Sequence, residues 1–579
     1  TLRAAGVGHT GSQLPELLVL PPLGFAAAAL YALAVRGGPL PRRHADYTES
    51  VRRVAAPTGW LVGVAAAAPL ALVDPEEITL LLTTGRDVPV WTAIGAGCAL
   101  AVGLLWGLGY ALVFARRDGP VLRGAVGIGL ATVLAVTAGA GYLAVGQPGL
   151  HGEQLLVIMK EQADLTGIDT TRTGTAGRDA RTGEVYRLLV DTARRSQSDL
   201  RRQLDRWRLT YRPYYLVNAV EVDGGPAVRA WLARRPDVDR VLLSQRLRPL
   251  PAAGGVHRGA VTDAPTEPPW GISAIGADRV RAELGVDGRG IVVGTSDSGV
   301  DGRHPALAGT FRGGDDSWYD PWNGTTTPTD NGGHGTHTLA SAVGGQQLGV
   351  APGAGWVGCV NLDRNLGSPA RYLDCLQFML APFPPGGDPF VDGRPARAPH
   401  VLTNSWGCPR IEGCDVGALR VATAAFAAAG IMFVAAAGNT GPGCGSIDTA
   451  PAPYPDALTV AATDRTSRVT DFSSRGPAAG GAGKPDLAAP GAEVLSALPG
   501  GTYGSLDGTS MAAPHVAGVV ALLWSANPGL VADLPRTREL LRSTARPAAA
   551  PAGTDCGSPA NLAGAGIVDA YAAVSAARR

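Results

Sequence analysis

Three short segments, far apart in the chain, constrain its fold more than anything else: Asp297-Ser298-Gly299, His334-Gly335-Thr336-His337 and Gly508-Thr509-Ser510-Met511-Ala512-Ala513-Pro514. A serine hydroxyl is a weak nucleophile until a neutral imidazole takes its proton. The imidazole in turn needs a buried carboxylate to fix its tautomer and to stabilise its charged form. A chain that uses Asp297, His334 and Ser510 in these roles must bring three sequence-distant turns to one point. Ile291-Val292-Val293-Gly294 reads as a buried strand, and the small Ser298-Gly299 lets the chain turn at its end, so Asp297 is expected to be shielded from water. His334 leaves a glycine-rich loop and enters the small-residue segment 338–343, a helix start. Ser510 follows a Gly-Thr turn and precedes the apolar run from Met511 to Trp524. It is therefore expected at a helix N-terminus, where free N–H groups and the dipole favour a developing oxyanion.

A fourth segment, Phe433-Val434-Ala435-Ala436-Ala437-Gly438-Asn439, reads as a buried strand running into a glycine turn. It would present the Asn439 amide as a second oxyanion donor beside the Ser510 N–H. Asp301 competes with Asp297 for the carboxylate role, but only Asp297 directly ends the apolar strand. His337 lies three residues after His334, yet no Glu completes a zinc-peptidase pattern, and no metal is expected there. His304 and His515 are expected as packed structural histidines.

These segments resemble those of the subtilisin-like serine peptidases, and the order Asp, His, Ser matches that family rather than the chymotrypsin or α/β-hydrolase orders. The resemblance runs from about Trp270 to Ala573. It includes Trp270-Gly271-Ile272, Asn404-Ser405-Trp406-Gly407 where the family lines its substrate cleft, and Phe472-Ser473-Ser474-Arg475-Gly476-Pro477. Trp356-Val357-Gly358-Cys359, Gly367-Ser368-Pro369-Ala370-Arg371-Tyr372 and Trp406-Gly407-Cys408-Pro409 look most like the bacillopeptidase F branch. The resemblance implies an α/β fold, doubly wound around a mainly parallel sheet, and a serine endopeptidase. Ser405, Trp406 and Gly407 would bind an extended peptide or protein substrate by backbone pairing. It also bears on calcium. His304-Pro305 is followed by Ala306-Leu307, and 344–348 is a short connection, so the common family calcium site is expected to be absent and no cofactor is required.

The formal net charge of +1 gives no case for nucleic-acid binding. Hydrophobicity is concentrated in residues 1–150, in four apolar stretches: roughly 17–35, 60–73, 90–114 and 121–145. A span takes about 20 residues, so the second is short. The first connection carries Arg36, Arg42, Arg43, Arg52 and Arg53, and the third Arg116, Arg117 and Arg123. The second carries Asp74, Glu76, Glu77, Asp87 and Arg86. Positive connections stay in the cytoplasm, so about four membrane helices would place the peptidase outside the cell membrane. Of the seven cysteines, Cys98 lies in the third stretch. The other six, at 359, 375, 408, 414, 444 and 556, form an even set suited to an oxidising compartment. The pairs 408–414 and 359–375 are expected first.

The chain thus reads as a membrane region (1–150), a flexible linker rich in Thr, Gly, Asp and Arg (151–184), a small α+β unit (185–250), a Pro- and Gly-rich cleavage zone (251–269) and a peptidase domain (270–579). Tyr215 to Val222 and Pro236 to Val241 resemble the family's propeptide, which assists folding, blocks the cleft and is cut away by the enzyme. The expectation is a membrane-anchored, extracytoplasmic serine endopeptidase whose partners are a protein or peptide substrate, the lipid bilayer and its own propeptide. The alternatives are a catalytically silent binding or signalling module on the same fold, and a peptidase released by self-cleavage.

Overall fold

The computed structural model describes residues 154–224, 226–244, 263–362, 367–409, 412–481, 483–551 and 556–579. The four apolar stretches, Cys98 and most of the expected cleavage zone lie outside the described residues. By proximity the chain divides into two compact units. The larger holds 155–222 and 232–244 together with the peptidase region, and the smaller contributes Gln154 and the described part of 223–231.

The first elements are β1 (Gln154–Met159), α1 (Gly174–Ser196), α2 (Ser198–Arg206), β2 (Tyr211–Tyr214), β3 (Ala219–Asp223), α3 (Pro226–Leu232) and β4 (Val238–Leu243). The strands form one sheet in the order β2-β3-β1-β4, with β2 antiparallel to β3 and β1 antiparallel to β4. The structure differs from the sequence reading at one point: the expected linker, 151–184, contains β1 and the first half of α1. Composition misled there for a physical reason: Arg178 and Arg181 look like solvated charges but are each only 2% exposed, with backbone carbonyls as partners.

The peptidase region continues with α4 (Trp270–Ala274), α5 (Ala277–Leu284), β5 (Val292–Asp297), β6 (Trp318–Tyr319), α6 (His334–Val343), β7 (Gly355–Val360), α7 (Pro369–Leu380), β8 (Val401–Asn404), α8 (Arg420–Ala429), β9 (Met432–Ala436), β10 (Leu458–Thr463) and β11 (Leu487–Pro490). The hairpin β12 (Val494–Leu498) and β13 (Thr502–Leu506) follows. Then come α9 (Thr509–Ala526), α10 (Leu534–Ser543), α11 (Ala560–Ala563) and α12 (Ala570–Ala577). Seven strands line up as β11-β10-β9-β8-β5-β7-β6, every neighbouring pair parallel.

From β5 the chain moves to β6 and β7 on one side, then returns to place β8 on the other. The strand order therefore reverses between β5 and β8, and ligands of such sheets bind outside the carboxyl ends at that reversal. Asp297 and Asn404 end these two strands. Alternate residues along the strands enter two different cores, as the two-residue period requires: Val401 and Met432 pack with α6 and α9, whereas Leu402 and Phe433 pack with α7 and α8. Helix α9 is the one helix among the described residues long and apolar enough to cross a bilayer. Of its residues, 89% are buried inside the protein, so it is a core helix.

Candidate active site

Asp297 closes β5 with its side chain 1% exposed. Its Oδ1 accepts from His334 Nδ1 at 2.7 Å and from the Ser298 amide at 2.7 Å, while Thr338 Oγ1 lies 3.4 Å from Oδ2. His334 is the first residue of α6, and its imidazole is 26% exposed. Burial works against the charged imidazole, but the Asp297 carboxylate, with Asp330 further off, outweighs it and holds the pKa above its ordinary value. The second nitrogen, Nε2, is not engaged by Asp297. Gly335 permits the approach: a Cβ there would stand 2.1 Å from the Gly299 carbonyl oxygen.

Asp330 is a residue that the sequence reading missed. It accepts from Ser298 Oγ (2.9 Å), Gly332 N (2.9 Å), Gly333 N (2.8 Å), Thr336 N (2.9 Å) and Thr336 Oγ1 (2.6 Å). One buried carboxylate thereby fixes the turn after Asp297, the glycine loop and the first turn of α6. The trace of this in sequence is an acidic residue just ahead of a glycine pair and a helix start, where Asp is favoured as a cap.

Ser510 lies in the first turn of α9. Its hydroxyl donates to the Ser405 carbonyl at 3.1 Å, and Ser405 Oγ donates to the Ser510 carbonyl at 2.8 Å. Gly508, with φ 151°, sets the entry to the helix. Asn439 Oδ1 accepts from both the Thr509 amide and the Thr509 hydroxyl, each at 2.9 Å. With its oxygen so tied, the side chain has its Nδ2 donors left over, and this nitrogen would be the nearest heavy atom to a Cβ on Gly508, at 3.4 Å.

Ser405 and Gly407 flank Trp406, whose ring is only 6% exposed and stacks on Tyr372 at 4.3 Å. The Tyr372 hydroxyl lies 2.6 Å from Glu412 Oε2 and 3.2 Å from the Gly407 carbonyl. Burial pushes the Glu412 carboxyl up to about 7, against the opposing hydrogen bonds from the Tyr372 hydroxyl and the Gly367 backbone. Trp406 therefore serves as a packed wall under the backbone of 405–407, which a disulfide between Cys408 and Cys414 closes off.

The remaining candidates fall outside this cluster. Asp301 binds Arg303 N and Gly500 N. His337 donates from Nε2 toward the Val494 and Gly504 carbonyls (2.9 and 3.1 Å), tying α6 to the β12–β13 hairpin, and burial brings its pKa down to about 3. His304 contacts Thr502 O and the Tyr503 ring, and His515 contacts Met511 O. Among the described residues, no group of three or more His, Cys, Asp or Glu side chains is arranged to hold a metal ion. The 344–348 turn closes back on Ala306 through Gly345 N. The disulfides join Cys359 to Cys375, Cys408 to Cys414 and Cys444 to Cys556. The first two are the pairs expected from the sequence.

The pattern of the Subtilase family matches residues 288–567. Over 312 residues the chain is 36% identical to subtilisin Savinase of Lederbergia lenta, covering 53% of this chain and 98% of that protein. It is 35% identical over 331 residues to an alkaline protease of Alkalihalobacillus alcalophilus, covering 56% of this chain and 74% of the other. Bacillopeptidase F of Bacillus subtilis (strain 168) is 36% identical over 386 residues, 63% of this chain but only 26% of that protein's length. With nearly the whole of one subtilisin aligned, and a parallel sheet whose reversal point carries an Asp–His pair, the chain belongs to the subtilase family of serine endopeptidases.

Proposed function

We propose that this protein hydrolyses peptide bonds through an acyl-enzyme formed on Ser510. His334 takes the hydroxyl proton and later returns one to the leaving amine. Asp297 fixes the His334 tautomer and stabilises the imidazolium, and Asn439 with the Ser510 N–H holds the oxyanion. The observation that carries this reading is the 2.7 Å contact between buried Asp297 and His334 Nδ1, which leaves the other imidazole nitrogen to act as the base. For attack, the Ser510 hydroxyl leaves the Ser405 carbonyl and turns to His334. An extended substrate then pairs with the backbone of Ser405 to Gly407 as an added strand, so the partner is a protein or peptide, and no cofactor takes part.

The four apolar stretches of residues 1–150 and their charge pattern support a multi-pass anchor with the peptidase outside the cytoplasm, and the three disulfides suit such a compartment. The four-stranded α+β unit at 154–244 supports a propeptide-like role. The test compares full-length wild type and Ser510→Ala in membranes with a fluorophosphonate probe. Labelling of wild type alone is expected, and labelling of both, or peptide hydrolysis by Ser510→Ala at the wild-type rate, would overturn the assignment.

A further inference from the structure

Under the backbone of 405–407 one phenolic hydrogen faces two acceptors. The Tyr372 ring is fully buried and stacks on Trp406 with 17° between the planes, so the ring itself is held in place. Its O–H can still turn, because a phenolic O–H prefers the ring plane and has two orientations there. Glu412 Oε2 lies 2.6 Å from the Tyr372 oxygen, and the Gly407 carbonyl lies 3.2 Å from it. Which of the two receives the single hydrogen depends on the charge of Glu412. A carboxylate takes it in a charge-assisted bond, the stronger kind. A carboxylic acid is a donor instead, and its other partner, the Gly367 backbone amide, is a donor as well. The acid hydrogen then goes to the Tyr372 oxygen, and the Tyr372 hydrogen turns to Gly407. The net change is one proton added at Glu412 and one O–H rotated.

Burial brings the titration of Glu412 near neutral pH, and among the described residues no cation offsets its charge. The other ionisable groups on the elements around it are committed elsewhere. Arg371 pairs with Asp374 on α7, Asp415 pairs with Arg240 of β4, and Asp448 accepts from Thr449 Oγ1. Burial, with the carboxylates of Glu412 and Asp297, holds the Tyr372 pKa well above its ordinary value, so the phenol stays protonated. The Gly407 carbonyl belongs to the same trans peptide as the Cys408 amide, which donates to Ala450 O at 2.8 Å, so the carbonyl points away from residue 450. An N–H of a strand laid along 405–407 would meet the same oxygen that Tyr372 can take.

We propose that Glu412 is a positioning residue for substrate, acting through Tyr372. Ionised, it holds the Tyr372 hydroxyl away from Gly407 and leaves that carbonyl to the substrate backbone. Protonated, it lets Tyr372 occupy the carbonyl, and an extended peptide binds less tightly. This rests on the reading of Ser405 to Gly407 as the backbone with which substrate pairs. Its consequence is that acid weakens substrate binding through the wall of the cleft, separately from the titration of His334.

The test measures KM of the full-length protein from about pH 6 to about pH 8, the range around the Glu412 titration, for two blocked p-nitroanilides without ionisable side chains. One is a tetrapeptide and the other carries only the residue at the cut. Gly407 is two residues, roughly 6–7 Å, along the chain from Ser405, out of reach of the short substrate. Titration of His334 acts on both, so the ratio of tetrapeptide KM to short-substrate KM reads the wall alone. That ratio is expected to rise about 5-fold from the alkaline to the acid end, the worth of one hydrogen bond. Glu412→Gln keeps an oxygen for the Gly367 amide and turns an N–H toward Tyr372, so it is expected to hold the ratio at its acid value throughout. Tyr372→Phe has no hydrogen to give and is expected to hold it at its alkaline value. A raised ratio in both variants would mean a merely structural role and would overturn the proposal. The wild-type ratio needs no variant: turnover of the short substrate with a flat ratio would overturn this proposal alone. No turnover of either substrate would overturn the peptidase reading and this proposal with it.

Discussion

Ser405 and Ser510 exchange hydrogen bonds, hydroxyl to carbonyl in both directions, at 2.8 and 3.1 Å. The reason one of these carbonyls is available lies in Pro514. A proline inside a helix has no N–H to give to the carbonyl four residues back, which here belongs to Ser510. The Ser405 hydroxyl fills that vacancy and thereby fixes the backbone that carries the proposed nucleophile to the end of β8, where substrate is proposed to pair. Ser405→Ala leaves a part-buried carbonyl unpaired. We expect a stability loss of about 1–2 kcal/mol by denaturant unfolding and a fall in kcat larger than any change in KM. Unchanged stability would contradict this account.

The pH profile follows from the Asp297–His334 pair. In the proposed mechanism the base form of His334 is the active one, and its pKa is raised, so activity is expected to be full at high pH and to fall as pH drops through that pKa. The acid limb of kcat/KM is expected above the ordinary histidine value of about 6.5. Asp297→Asn should shift the limb downward and cost about 10⁴ in kcat, the size seen when such a carboxylate is lost in trypsin. A limb that stays in place would separate Asp297 from the titration.

Asn439 is tied by its oxygen to Thr509, which leaves its amide nitrogen for the proposed role of oxyanion donor. Asn439→Ala is expected to lower kcat by about 10²–10³ with little change in KM, the magnitude of such a loss in subtilisin. A change confined to KM would assign Asn439 to ground-state binding instead.

The Cys444–Cys556 disulfide spans 112 residues and ties the loop after Asn439 to the C-terminal segment. In the chain-entropy account a closure of that length is worth about 4–5 kcal/mol. Replacing both cysteines with serine should lower the unfolding free energy by that order under oxidising conditions and have little effect under reducing ones. Equal stability in both conditions would contradict it.

Sequence alone went far where chemistry is local. A strand ending in Asp, a glycine loop opening on His and a Gly-Thr turn ahead of an apolar helix each carry their own signal, and their order and neighbours pointed to the family and to a parallel doubly wound sheet. Asp330 was legible only as a local cap ahead of Gly332 and Gly333, because its tie to Ser298 exists only once β5 and α6 meet. Nor was Trp406 legible as a buried wall, since its partner Tyr372 lies on helix α7, more than thirty residues earlier in the chain. The 151–184 segment shows the limit most plainly. Its arginines and threonines count as a solvated linker in any window of sequence, and only carbonyls brought alongside by the tertiary fold, those of Ala398 and Pro399 for Arg178 and of the α8 end for Arg181, make the two side chains buried anchors. Periodicity and motif chemistry are properties of neighbours along the chain, whereas the partners of a buried polar group are chosen by packing across it.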